Sequence, residues 1–323
     1  MGKIGFVFPG QGSQRVGMGF DLSREYPQLV DLYYRPADDI LGFGLSQICW
    51  EGPAVALQDT AITQPALFLT SLCTQHVLSS NGVTPQIVAG HSLGEYAALV
   101  TADVLDWAQA LRLVRRRGQL MAGVNASRPG TMVAILGLPV ATVEDICAES
   151  TRRTGGLVEV ANDNEPAQVV VSGEVAAVRE AVEAAKRAGA QRAVPLTVGA
   201  PFHCGLMAEV ADEFRTTLDE VNFRDPICEV VSSVTGEPVS GAAEAKALLT
   251  HQLTGRVRWR ETVTRMVASG VDQFVEVGPG KVLRGLCRRI SPGIDAVSTS
   301  TALECRSVVG ARFPVGVPVR ETR

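Results

Sequence analysis

The sequence predicts an α/β protein built on a mainly parallel sheet, with a smaller unit inserted into it. Over most of the 323 residues, short apolar runs closed by turn residues alternate with helical stretches, as expected for strands joined by crossover helices. Between residues 129 and 198 the rhythm changes to β-α-β-β-α-β, the ferredoxin-like order. The apolar share of 46% with 20% charged residues and a formal net charge of −4 provides a core that needs neither metals nor disulfides.

The elements follow from local pattern. Ile4 to Phe8 is an apolar run ended by the turn-forming Pro9-Gly10-Gln11-Gly12-Ser13. Ile87 to Ala89 runs into Gly90-His91-Ser92-Leu93-Gly94 and then a helical stretch from Glu95 to about Ala102. Helical periods are expected near 107–123, 206–221, 244–253, 260–269 and 280–290, with strands near 228–231, 273–277 and 295–299. Inside the insert, strands are expected at Met132–Leu136, Leu157–Ala161, Gln168–Ser172 and Arg192–Val198, with helices at Val140–Glu149 and Val175–Ala188. Residues 1–128 and 199–305 then form the large domain, 129–198 the insert, and 306–323 a peripheral tail without helical period. A cleft is expected between domain and insert, a favoured place for a ligand.

Composition narrows the function classes. The net charge does not suit a nucleic-acid binder, although arginines cluster at Arg115, Arg116 and Arg117 and again at Arg256, Arg258, Arg260, Arg284, Arg288 and Arg289. Arg115 and Arg116 are expected to be exposed. The seven cysteines show no zinc-ligand spacing and no C-x-x-C pair, so reduced thiols in a cytoplasmic protein are expected. No metal site, signal peptide or membrane span is expected either.

Gly90-His91-Ser92-Leu93-Gly94 fits G-x-S-x-G, and its setting between strand and helix is the one that exposes a nucleophilic serine hydroxyl. The helix start also brings backbone N–H groups near a developing oxyanion. A serine needs a base, and the four histidines are His76, His91, His203 and His251. His91 adjoins the serine and is expected to point away and support the elbow, while His76 falls in the helical run Leu67–Leu78 as a structural or surface residue. His203, in Gly199-Ala200-Pro201-Phe202-His203-Cys204, follows the insert and borders the expected cleft. It is the candidate base.

Taken in order, Phe8-Pro9-Gly10-Gln11-Gly12-Ser13-Gln14, Thr63-Gln64-Pro65-Ala66, Gly90-His91-Ser92-Leu93-Gly94-Glu95, Arg117-Gly118-Gln119-Leu120-Met121, Ala161-Asn162, Pro201-Phe202-His203 and Glu276-Val277-Gly278-Pro279-Gly280 resemble the malonyl-CoA:acyl carrier protein transacylases and the related acyltransferase domains of polyketide synthases. The likeness runs from about residue 4 to 300. It implies an α/β-hydrolase-like large domain with a ferredoxin-like insert, in agreement with the pattern above. It further implies a Ser92–His203 dyad without an acidic third member, and His203 oriented by a carbonyl of Gln252. The N–H groups of Gln11 and Leu93 would form the oxyanion hole.

The resemblance also speaks to substrate. It implies that Arg117 pairs with the free carboxylate of malonyl, which suits a planar guanidinium that grips a carboxylate through two parallel hydrogen bonds. Gln64 and Asn162 fall in matched motifs and are carried over as substrate-binding residues. Phe202 would crowd an α-branched acyl unit, although one methyl in a pocket is worth only about 1–3 kcal/mol. The implied substrate is malonyl-CoA, with no bound cofactor, and the implied partner is an acyl carrier protein approaching near Arg284, Arg288 and Arg289. A different acyl unit, a serine acyl hydrolase, and a non-catalytic scaffold that has kept the fold stay open, as does the choice between fatty-acid and polyketide synthesis.

Overall fold

The computed structural model describes residues 2–312. Its strands are β1 (Lys3–Phe8), β2 (Ile87–Gly90), β3 (Gly130–Leu136), β4 (Val158–Glu165), β5 (Gln168–Glu174), β6 (Arg192–Pro195), β7 (Glu229–Val231), β8 (Val271–Glu276) and β9 (Asp295–Ser298). Five of them form one sheet in the order β7-β2-β1-β8-β9, with every pair parallel. The other four form a separate antiparallel sheet in the order β4-β5-β3-β6, backed by helices Val140–Thr154 and Val175–Arg187. The α/β class with a ferredoxin-like insert is thus the observed architecture.

The central strands β1 and β2 are buried almost throughout, as expected of a parallel sheet covered on both faces. Two long helices, Thr60–Ser80 and Trp107–Ser127, pack against each other beside this sheet. Each begins at an aspartate cap: Asp59 accepts from the Ala61 N–H, and Asp106 from those of Ala108 and Gln109. Pro65 lies inside the first helix and has no N–H for the Ala61 carbonyl. Arg115 from the second helix supplies that missing donor. A Cβ on Gly118 would come within 2.7 Å of the Thr60 carbonyl oxygen, so glycine allows the close helix contact that carries its neighbour Arg117 into the cleft.

Domain and insert are joined through the chain at Val257. Its N–H donates to the Ala161 carbonyl at 2.8 Å and its carbonyl accepts from the Asp163 N–H at 2.9 Å, which adds a short parallel bridge to the edge of β4. Arg260 pairs with buried Asp163, and Arg289 with Glu165 at 3.1 Å.

Several expectations need correction. Arg115 and Arg116 are partly buried and engaged, Arg115 also lying over the Phe43 ring and Arg116 pairing with Glu213. The chain beyond residue 305 is not irregular from that point. A helix spans Ala302–Arg312, burying Ala302, Cys305 and Val308 at intervals of three and held at its start by Asp21, which accepts from the Ala302 N–H. Residues 313–323 of the expected tail lie outside the described residues. The helix expected at Val140–Glu149 runs on to Thr154, where Gly155 ends it in the left-handed conformation.

Candidate active site

β2 ends at Gly90, the chain turns at His91-Ser92-Leu93, and a helix runs from Gly94 to Thr101. The turn is tight enough that a Cβ on Gly90 would lie 2.0 Å from the Gly94 carbonyl carbon, and one on Gly94 would lie 2.0 Å from the Phe8 carbonyl oxygen. Ser92 itself takes φ 52°, a left-handed conformation costly for a residue with a side chain and common where a site over-determines its geometry. Ser92 lines the cavity above the turn.

His203 shares that unusual backbone, with φ 59°. Its Nε2 lies 2.8 Å from Ser92 Oγ, and its Nδ1 lies 2.8 Å from the Gln252 carbonyl oxygen and 3.2 Å from that of Gly255. Carbonyls only accept, so Nδ1 carries the proton and Nε2 is free to take one from the serine. Burial, and next the charge of Arg117, lowers the imidazole pKa to about 3, against the opposing pull of the Gln252 carbonyl. The ring is therefore a neutral base at ordinary pH.

Arg117 is 1% exposed. Nη1 donates to Gln64 Oε1 at 2.8 Å, while Nη2 donates to Ser92 Oγ and to Gln252 Oε1, both at 3.0 Å. No carboxylate pairs with it among the described residues. A buried guanidinium held by neutral acceptors keeps its charge available to an incoming anion.

A cavity of about 390 Å³ opens above these groups, lined by Gln11, Gln64, Ser92, Leu93, Arg117, Asn162, Phe202 and His203. Every site residue singled out in the sequence thus lines this one cavity, apart from Gln252, which lies buried behind Ser92 and His203. The insert closes the opposite side with apolar groups from β3, β5 and β6, among them Met132, Val170 and Val194. Leu283 and Leu286 of helix Val282–Ile290 complete the rim. Neither the Gln11 nor the Leu93 N–H meets an acceptor among the described residues, and Gln11 Nε2 is turned to Thr60 Oγ1 at 3.2 Å.

Of the other histidines, His91 supports the elbow: its Nε2 meets Asn164 Oδ1 at 2.9 Å and its ring meets the Trp259 ring edgewise. His76 is engaged with Tyr33. Sequence reasoning missed Asn164 and Glu95. Both left a signal, since Asn162-Asp163-Asn164-Glu165 is a polar run within an otherwise apolar strand pattern, and Glu95 is the one acid at the head of an apolar helix.

Comparison with known proteins gives the family. Residues 5–298 match the model of the acyl transferase domain family. The malonyl CoA-acyl carrier protein transacylase of Haemophilus influenzae is 41% identical over 310 residues, which is 95% of this chain and 98% of the relative. That of Bacillus subtilis is 40% identical over 93% of this chain and 94% of the relative. Among solved structures, an acyl carrier protein S-malonyltransferase from Vibrio cholerae superposes with a TM-score of 0.91 at 41% identity, covering 95% of this chain and 99% of its own. A type II PKS acyl-carrier protein in complex with its malonyl-transacylase gives 0.91 at 39% identity, covering 96% and 99%. The chain therefore belongs to the acyl transferase domain family, in the group of malonyl CoA-acyl carrier protein transacylases.

Proposed function

We propose that this chain moves a malonyl group from coenzyme A to the phosphopantetheine thiol of an acyl carrier protein, by way of an ester on Ser92. The observation that carries the reading is the buried, carboxylate-free guanidinium of Arg117 in contact with the Ser92 hydroxyl.

His203 Nε2 takes the Ser92 proton as Oγ attacks the thioester carbonyl, and the N–H groups of Gln11 and Leu93 receive the negative oxygen. When the carbon–sulfur bond breaks, the proton on Nε2 passes to the departing thiolate and leaves Ser92 as the malonyl ester. The carrier thiol then gives its proton to Nε2, its sulfur attacks the ester, and Ser92 Oγ leaves with that proton. Two carbonyls stabilise the imidazolium that forms between steps, so no carboxylate is required as a third member beside Ser92 and His203.

Arg117 selects an acyl unit with a distal carboxylate, Gln64 holds the guanidinium in place, Asn162 lines the acyl cavity and Phe202 narrows it against branching. The enzyme serves fatty-acid or polyketide synthesis in the cytoplasm, which the seven unpaired cysteines suit. The test is intact mass after incubation with a mixture of acyl-CoAs. A malonyl adduct, absent in Ser92→Ala and lost on addition of carrier protein, is expected. An acetyl or long-chain adduct overturns the substrate, and release of free malonate without carrier overturns transfer.

A further inference from the structure

We infer that Glu95 is a positioning residue for acyl selection, fixing the Gln252 side-chain amide with its oxygen toward Arg117. The inference rests on the assignment of Arg117 as the carboxylate-binding group.

An amide side chain has two ends of nearly equal shape and opposite hydrogen-bonding sense. Gln252 presents its oxygen to Arg117 Nη2 at 3.0 Å and its Nε2 to Glu95 Oε2 at 2.6 Å and to the Ser92 carbonyl at 3.0 Å. Turned the other way, the NH₂ group would face a guanidinium, donor against donor, inside a region where Gln252 and Arg117 are each 1% exposed. Unmet donors at such depth are costly. Glu95 is 2% exposed and its Oε2 also accepts from Ser233 Oγ at 2.7 Å. An acceptor held from two sides leaves the amide one favourable orientation.

Selectivity follows from the separation of Glu95 from Arg117. A carboxylate in direct contact with Arg117 would compete with the acyl carboxylate for the guanidinium. Glu95 stands one amide further back, so it orders the site while leaving Arg117 with neutral neighbours that an anion can displace or join. Loss of Glu95 removes one of the two acceptors that hold the amide, leaving the Ser92 carbonyl alone, and so loosens the Gln252 oxygen that fixes Nη2 of Arg117 while Gln64 still holds Nη1. A substrate with a distal carboxylate suffers most, because acetyl makes no use of that group.

The test is a double-mutant cycle between Glu95→Ala and Gln252→Ala, reading the rate of Ser92 acylation by malonyl-CoA and by acetyl-CoA, with urea unfolding recorded for each protein. Gln252→Ala keeps the main-chain carbonyl that orients His203. Glu95→Ala is expected to slow malonyl acylation by about tenfold, a typical coupling within one network, and to narrow the malonyl-to-acetyl ratio. In the Gln252→Ala background it is expected to change that ratio no further. Glu95→Gln, which keeps shape and acceptor, is expected to lose less than about threefold, well short of the coupling just stated, and it carries the test if Glu95→Ala does not fold. Additive losses, equal losses for both thioesters, or a Glu95→Gln loss as large as that of alanine overturn the inference. Absence of malonyl acylation in the wild type overturns the functional assignment instead.

Discussion

Arg117 Nη2 lies 3.0 Å from Ser92 Oγ, so the cation proposed to receive the substrate carboxylate touches the hydroxyl proposed to attack the substrate carbonyl. Carboxylate and reacting carbonyl must therefore be close together on the acyl unit, as they are in malonyl. Arg117→Ala is expected to reduce kcat/KM for malonyl-CoA by about 2–5 kcal/mol in transition-state binding, the range for breaking a buried charge pair, while acetyl-CoA stays level or improves. Equal losses for the two thioesters would assign Arg117 to the fold or to coenzyme A.

Removal of the adduct follows from the dyad. Ser92→Ala is expected to abolish acylation, and His203→Ala to slow it by about 10²–10⁴, as loss of a general base does. Single-turnover acylation measures both. A normal adduct on Ser92→Ala places the nucleophile elsewhere.

The pH dependence follows from the burial of His203 and the charge beside it. With its pKa lowered to about 3, the imidazole stays neutral far below the usual histidine value, so kcat/KM for acylation is expected to show no acid limb near pH 6.5. In Arg117→Ala that limb moves upward, since a positive neighbour is gone. Stability carries the same sign: between about pH 6.5 and 3 the unfolded histidine binds a proton that the folded one does not. The contribution is fully present above 6.5 and declines as pH falls toward 3. Urea midpoints at pH 7 and 4.5 are expected to differ more in the wild type than in His203→Ala.

The elbow predicts a steric failure. Gly90→Ala forces a Cβ into backbone atoms 2.0 Å away, where no flexible side chain can yield, and is expected to cost at least the 1–3 kcal/mol of ordinary overpacking. Urea unfolding reads the loss. A stable, active Gly90→Ala would show that the turn is looser than its geometry indicates.

Parts of this site were legible because their chemistry needs particular residue types in a particular local setting. Ser92 stands between a strand and a helix, and His203 stands in a turn just after the insert and before a helix. Glu95 was not legible as a partner of Gln252, because the two are brought together by the fold from 157 positions apart. The helix Ala302–Arg312 escaped for a different reason. Its buried stripe uses Ala302 and Cys305, which weigh little in a hydrophobic pattern, and its start depends on the distant Asp21.

Arg284, Arg288 and Arg289 all lie on helix Val282–Ile290 at the rim of the cavity. Arg288 Nη2 donates to the Ala296 carbonyl at 2.6 Å, and Arg289 is paired with Glu165 of the insert. Arg284 is half-buried, less exposed than the other two, but makes no ion pair among the described residues, which leaves its charge the least committed of the three to an acidic partner. Steering by exposed charge acts on the encounter rate and weakens with salt. Arg284→Glu is therefore expected to slow malonyl transfer to the carrier and to flatten its salt dependence, with a smaller effect on acylation of Ser92 by malonyl-CoA. The two half-reactions are measured separately, by quenched flow from pre-formed malonyl enzyme and from free enzyme. Equal sensitivity of both would assign Arg284 to the phosphates of coenzyme A, and no sensitivity in either would remove this helix from the docking surface.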